Sequence, residues 1–474
     1  MERLSGLDAS FLYLETPSQL LHVCGLIEVD GATMAGGYDF DAVAQELAQR
    51  VEAIPGFRRK LWDSLLNLDH PVWVEDEEFD IDRHLHRIAV PPPGGRDELA
   101  ELCGHIASQP LDRSRPLWEM WMIEGLPDGR IAMMMKMHHA TVDGVTWASL
   151  MSQLCTRAPD SPPVPPEVIA QTAGGAHSLE LALDGMQTFL AQPVKLLRLL
   201  SSTASVLPNW IGRTRRGQAM PAPFTAPRTS FNGTITGHRT IAHTQVDLAD
   251  VKEVKNAFGT TVNDVVLAIC SGALRKYLDG RKELPENPLI GMVPVSVHGK
   301  SDRPGTNQVM GMFTALATDI ADPAERLEAI GTHNRVVKEH KDTLGPTLLQ
   351  DLAQFAGPAA FGAAMRTYAN LRLAEKHPVV HNLVISNVPG PPDALYFLGA
   401  RIHAMYLLGP IFHGAGLNIT VISLAGTLNI GLIGCRELTP DLWPIAADVE
   451  QELETLLGAA RARSPQPAQS AGRR

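Results

Sequence analysis

Apolar residues along the chain fall into two recurring patterns, a helical spacing and a strict alternation, and their order predicts an α/β protein. Residues 38–51 (YDFDAVAQELAQRV) carry apolar positions at helical spacing, and a second helix is predicted over 98–108. Residues 118–137 read as two strands joined at Leu126-Pro127-Asp128-Gly129, where Asp-Gly suits a tight turn. Farther along, the patterns predict helices over 249–258, 263–278, 324–339 and 347–374, and strands over 289–297, 308–317 and 379–386. The stretch 404–435 contains no Asp, Glu, Lys or Arg and is the candidate for a membrane span. Pro410, His413, Asn418, Asn429 and six glycines interrupt it. Leu417, Ile419 and Val421 alternate with polar neighbours, and Ala425-Gly426-Thr427 resets the pattern before Leu428, Ile430 and Leu432. Period two on both sides of a glycine predicts a buried hairpin instead of a span.

Organisation follows from composition. Residues 156–178 (ending APDSPPVPPEVIAQTAGGAHS) are rich in Pro, Ala, Gly and Ser, cannot bury enough apolar area to offset their ordering, and read as a surface linker. A basic apolar stretch, 193–216, and a Pro-rich connector, 220–228, follow. The chain therefore divides into a first half (1–155), a linker and crossover (156–228), a second half (229–459) and a disordered tail (460–474). The stretch 193–216 holds Lys195, Arg198, Arg213, Arg215 and Arg216 with no acid, among leucines and Trp210. Such a segment is able to lie at a lipid surface, or to pack as a crossover between the halves.

The chain has 474 residues, 41 basic and 52 acidic, a net charge of −11 that argues against a nucleic-acid partner. Five scattered cysteines without CxxC spacing fit reduced thiols, and the N-terminus shows no apolar signal region. A cytoplasmic protein that is soluble or peripherally attached to the membrane is the expectation.

The strongest chemical signal is HHATVDG, residues 138–144, placed where a strand leaves its sheet and a helix begins. A histidine near neutral pKa can take a proton from an alcohol and return it to a leaving group. On a strand, His138 and His139 point to opposite faces, so one can face a reaction channel while the other packs inside. These residues alone leave open a catalytic base, a structural polar core or a metal site, the last unsupported by any HExxH or second Cys/His cluster.

HHATVDG resembles the HHxxxDG motif of the CoA-dependent acyltransferase superfamily. LSGLDASFLYLETP at the N-terminus, Pro116-Leu117-Trp118, Asn232-Gly233 with Gly237-His238-Arg239, Thr261–Ala268 (TVNDVVLA) and Ser386–Pro391 (SNVPGP) narrow the resemblance to the bacterial wax ester synthase/diacylglycerol acyltransferase family. The resemblance implies two chloramphenicol-acetyltransferase-like α/β sandwich domains forming a pseudo-dimer with an interdomain channel. It implies His139 as the general base, His138 in support, and Asp143 as a structural residue paired with an arginine. Gly144 would permit close backbone approach. Asn263, Asp264, Ser386 and Asn387 would lie near the substrates. The implied reaction moves a long-chain acyl group from acyl-CoA, a co-substrate and not a bound cofactor, to diacylglycerol or a fatty alcohol. The implied location is a membrane or lipid-droplet surface; no cofactor or metal is expected.

Plainer readings stand beside these. Asn263 and Asp264 suit a helix N-cap, Trp118 a core position, SNVPGP a turn, and His84 and His86 a solvent-facing strand edge. His138 to Asp143 also has HxxxxD spacing, which would make His138 the base. A different hydroxyl acceptor on the same machinery is a close rival, and a weakly active lipid-binding protein with a decayed acyltransferase fold is a non-enzymatic alternative. No GxSxG elbow supports a lipase, and no GxxxxGK[ST] loop supports a nucleotide-driven ligase.

Overall fold

The computed structural model describes residues 2–34, 36–52, 54–63, 70–142, 147, 150–151, 153–160, 220–296, 309–344 and 358–463. Asp143, Gly144, the basic stretch 193–216, most of the linker and the tail beyond 463 lie outside the described residues.

The first half opens with strand β1 (Glu2–Arg3) and helix α1 (Gly6–Leu14). Ser5 caps α1: its hydroxyl accepts the Asp8 N–H at 3.1 Å and donates to the Asp8 carboxylate at 2.6 Å. Then come β2 (His22–Asp30), α2 (Phe40–Glu52), β3 (Arg59–Trp62), β4 (Val72–Glu75), β5 (Leu85–Ala89), α3 (Arg96–Ala107), β6 (Trp118–Glu124) and β7 (Arg130–His138). β6 and β7 form the expected antiparallel hairpin, although Pro127–Gly129 closes it as a 3-10 turn, with Gly125 and Gly129 at positive φ.

The second half contains β8 (Arg239–Asp247), α4 (Leu248–Phe258), α5 (Val262–Gly280), β9 (Ile290–Ser296), β10 (Val309–Ala315), α6 (Pro323–Leu344), α7 (Pro358–Asn370) and β11 (Leu383–Val388). It ends with β12 (Tyr396–Phe397), β13 (Ala400–Leu408), β14 (Leu417–Leu424), β15 (Thr427–Cys435) and α8 (Trp443–Arg463). The charge-free stretch contributes the predicted hairpin, β14 with β15, preceded by most of β13. Among the described residues no single helix is long and apolar enough to cross a membrane. α4 and α5 pass that test only as a pair bent by 102°, and Val265–Leu274 of α5 is buried in the core.

Two six-stranded sheets result. One has the order β12-β13-β2-β7-β6-β5 and the other β10-β9-β11-β14-β15-β8; a small sheet, β1-β4-β3, stands apart. The sheets do not follow the sequence halves, because β12 and β13 come from the second half and complete the first sheet. β13 runs antiparallel to β2, with Leu407 opposite Gly25 and Leu408 opposite Cys24. Ile402, Met405 and Leu407 join the core that α2 covers. Ala404, Tyr406 and Leu408 join a second core with Leu99, Cys103 and Ile106 of α3 and with Ile241 and Ile433 of the other sheet. A strand buried on both faces reads as a continuous apolar run, which is why AMYLL shows no alternation. α4, α5, α6 and α8 cover the far face of the second sheet.

Three glycines set how closely the layers approach. A Cβ on Gly25 would sit 2.2 Å from the Trp147 ring, and one on Gly104 of α3 would sit 2.7 Å from the Arg239 carbonyl oxygen. At Gly431 of β15 the obstacle is the Leu407 carbonyl oxygen of β13, 2.3 Å away. The last contact joins one sheet to the other through backbone, which cannot swing aside. Gly431→Val should therefore destabilise the protein by about 1–3 kcal/mol or more, read as a lower midpoint in urea. A midpoint equal to that of the unsubstituted chain would show that the sheets do not depend on this approach.

Candidate active site

β7 ends at His138, and the pleat separates the two adjacent histidines. His138 is 1% exposed and sits opposite His22 of β2, their ring centroids 6.0 Å apart. Its Nδ1 accepts the Ala140 N–H at 3.0 Å. In the neutral ring the hydrogen is therefore on Nε2, and Nε2 lies 3.2 Å from Glu15 Oε1. His22 Nε2 is 3.7 Å from the same oxygen.

Glu15 follows α1 and gathers several elements. Its Oε1 also accepts the Leu21 N–H at 2.9 Å, and Arg113 donates to its Oε2 at 2.5 Å and to the Leu12 carbonyl at 2.8 Å. Burial opposes ionisation of this carboxyl. The His138 contact and the charge of Arg113 outweigh it and hold the group well below the usual carboxylate range. Burial drives His22 well below the ordinary histidine value, with Glu15 opposing, so the ring is neutral at physiological pH. The neighbouring buried cation, Lys136, pairs with Glu119 at 2.8 Å and donates to the Gln109 carbonyl.

His139 turns the other way and is half-buried. Its ring stacks on Phe11 of α1, centroids 4.2 Å apart and planes 15° from parallel, and its N–H donates to the Leu21 carbonyl at 2.7 Å. Phe11 packs in turn against an apolar cluster that includes Leu4, Ala9, Leu12, Leu111, Leu117 and Ala140, as does Phe361 of α7 from the second half.

The other anticipated residues lie in the second half. Thr261, not Asn263 or Asp264, is the N-cap of α5; Asp264 is the third residue of its capping box, accepting from Thr261 N and Oγ1 at 2.9 and 2.7 Å. The other Asp264 oxygen accepts from Asn334 of α6 at 2.7 Å. This carboxylate is thus occupied by structure. Asn387 Nδ2 reaches Asn263 Oδ1 at 3.5 Å, bringing the end of β11 to the start of α5. Ser386, half-buried, points to the opposite face of β11 and pairs in register with Thr420 of β14. Trp118 is core: its indole N–H donates to the Phe57 carbonyl. Of SNVPGP, Ser386–Val388 end β11 and the chain turns only from Pro389, with the Gly390 N–H on Ser423 Oγ at 2.9 Å. The expectation of a solvent-facing His84 fails, because its ring is buried, stacks on Trp118 at 4.6 Å and bonds the Trp118 carbonyl. Among the described residues no group of three or more His, Cys, Asp or Glu is arranged to hold a metal ion.

The sequence profile of the wax ester synthase/diacylglycerol acyltransferase catalytic domain matches residues 4–266, and that of the corresponding C-terminal domain matches residues 305–457. The chain belongs to the wax ester synthase/diacylglycerol acyltransferase family. It is an acyltransferase by that membership. A Mycobacterium tuberculosis protein whose name assigns it provisionally to the diacylglycerol O-acyltransferases is 51% identical over 96% of this chain and 90% of its own length. The solved wax ester synthase/diacylglycerol acyltransferase from Marinobacter aquaeolei is 32% identical, with a TM-score of 0.70 over 97% of this chain and all of that one. The first condensation domain of the calcium-dependent antibiotic synthetase, 14% identical with a TM-score of 0.56, shares the fold. The expected two-sheet acyltransferase fold is the one observed.

Sequence reasoning missed Glu15, His22, Arg113 and Phe11 as parts of the site. The signal for Glu15 was an acid closing the apolar run FLYLETP; the others acquire a role only through strand register and the packing of α1.

The segment after Glu15 is held from the second half. His413 Nδ1 accepts the Ile235 N–H at 3.2 Å, and its Nε2 lies 3.3 Å from Thr16 Oγ1 and 3.4 Å from Ser18 Oγ. Burial, with the charge of Arg239 adding to it, pushes His413 down to about 4 from 6.5. The unfolded chain binds this proton more readily, so the contribution of His413 to stability is complete above about pH 6.5 and is lost as pH falls towards 4. Between pH 7 and 5 the native protein should lose roughly 1–2 kcal/mol more unfolding free energy than His413→Gln, measured by urea titration at each pH. Parallel pH dependences in the two proteins would refute this.

Proposed function

We propose that the protein transfers a long-chain fatty acyl group from acyl-CoA to the hydroxyl of diacylglycerol, making triacylglycerol, and accepts fatty alcohols to make wax esters. His139 removes the hydroxyl proton as the alkoxide oxygen attacks the thioester carbonyl. The new C–O bond forms, the C–S bond breaks, and the imidazolium returns its proton to the departing thiolate. No acyl-enzyme is formed. Acid–base help of this kind contributes on the order of 10²–10⁴ in rate, and holding both substrates beside one imidazole supplies more.

The observation that carries this reading is the opposed placement of the two histidines. His138 is committed inside the domain, while His139 lies half-buried on an aromatic ring beside an apolar cluster drawn from both halves. That setting suits a fatty chain and an alcohol more than a polar acceptor. The names of the mycobacterial and marine relatives support the choice of acceptor. Asn263, Ser386 and Asn387 are proposed to flank the substrates, with Gly144 giving backbone approach and Asp143 holding the motif's loop. The five cations of 193–216 support a peripheral contact with a membrane or lipid droplet.

Purified protein given labelled palmitoyl-CoA with diacylglycerol, with hexadecanol, or with neither should yield labelled triacylglycerol and wax ester only in the first two mixtures. His139→Ala should lose at least about 100-fold in kcat, while His138→Ala keeps the larger share of activity. The reverse order would make His138 the base, and no ester from either acceptor would remove the proposed acceptors.

A further inference from the structure

The peptide between α1 and β2 is tied to the histidine pair at two points. Glu15 Oε1 faces the His138 ring, 3.2 Å from Nε2, and also accepts the Leu21 N–H at 2.9 Å. Leu21 in turn accepts the His139 N–H on its carbonyl at 2.7 Å. One carboxylate oxygen thus lies against the His138 ring and, through the Leu21 peptide, ties the His139 backbone. The second oxygen is fixed by Arg113, whose guanidinium also holds the Leu12 carbonyl in the last turn of α1. That helix carries Phe11, on which the His139 ring stacks. The Glu15 side chain is 13% exposed, His138 1% and His22 4%, so the carboxylate meets the histidines away from water, while Arg113, 48% exposed, reaches it from the solvent side.

We propose that Glu15 is a positioning residue for the acyl transfer: ionised and clamped by Arg113, it sets the His138 ring, the Leu21 peptide and α1, and through them the direction of the His139 imidazole. This rests on His139 being the base. Glutamine at position 15 keeps a carbonyl oxygen for Leu21 or His138 but turns an amide donor towards Arg113, so the charge and the clamp are lost while size is preserved. Misplacing a reacting group by about an ångström can cost on the order of 100-fold in rate without weakening binding.

The test is steady-state kinetics with palmitoyl-CoA and diacylglycerol, with melting temperature measured on the same samples. In Glu15→Gln, kcat should fall by about 10- to 100-fold while KM for both substrates stays within about twofold. Arg113→Gln, which leaves the carboxylate but frees it, should lower kcat in the same direction by less and carries the test alone if Glu15→Gln does not fold. A kcat within about twofold of the unsubstituted enzyme, or a loss confined to KM, overturns the proposal. His139→Ala assayed alongside separates the two claims. Activity surviving that substitution overturns the base assignment. An inactive His139→Ala beside a Glu15→Gln enzyme of normal kcat overturns only the role given to Glu15.

Discussion

The pairing of β13 with β2 is the contact on which the rest of the molecule depends. A strand from residues 400–408 completes a sheet begun some 380 residues earlier, and its faces are buried in two different cores. Met405, Tyr406, Leu407 and Leu408 are each 5% exposed or less. At roughly 1.5–3 kcal/mol for each buried apolar side chain, this strand alone contributes a large share of what holds the halves together. It also fixes β2 between β13 and β7, and so fixes the register that sets His22 opposite His138.

From that register the polar interior of the first half follows. Lys136 and His138 share a face of β7 and point away from solvent, where an unpaired charge would be costly. Glu119 balances Lys136, and Glu15, itself balanced by Arg113, faces His138. Arg239 adds a second tie across the halves: buried, it donates to the Thr236 and His238 carbonyls and to Ser18 in the same segment that His413 holds. The segment carrying Glu15 is therefore stapled to both halves of the chain. An acid at the end of α1 is placed by residues as distant in sequence as 113, 239 and 413.

Much of this was legible in the sequence because it depends on local periodicity. The β6–β7 and β14–β15 hairpins, the helices α2, α3, α4 and α5, and the opposed faces of His138 and His139 follow from spacing alone. The crossing of β13 into the first sheet was not legible, since a fully buried strand has the same apolar run whichever sheet receives it. His84 was misplaced for a related reason: alternation describes β5 from Leu85 onward, whereas His84 ends the 3-10 turn before it and stacks on Trp118. Asn263 and Asp264 looked equivalent as caps, but helix phase separates them, sending Asp264 back to Thr261 and Asn263 towards Asn387. Glu15 was visible only as an acid in an apolar opening, because its partners lie six to 123 residues away in the chain.

Two adjacent histidines could each have been the base, and the surroundings of His138 support the proposed choice of His139. A base needs a lone pair that an alcohol proton can reach. The lone pair of His138 is at Nδ1 and already accepts the Ala140 N–H, while Nε2 carries its hydrogen towards Glu15. Rotating the ring to free Nδ1 would break that bond and turn Nε2 from the carboxylate, inside a core where neither group would find water. His138 is therefore held facing inward by its Nδ1 bond, and the HxxxxD reading would require it to give up that bond and its place beside Glu15. In the proposed reaction the base is therefore His139, whose ring stacks on Phe11. In the proposed reaction the dipeptide divides its work by strand geometry: one imidazole fixes the strand end from inside the domain, and the next in sequence turns to the opposite face.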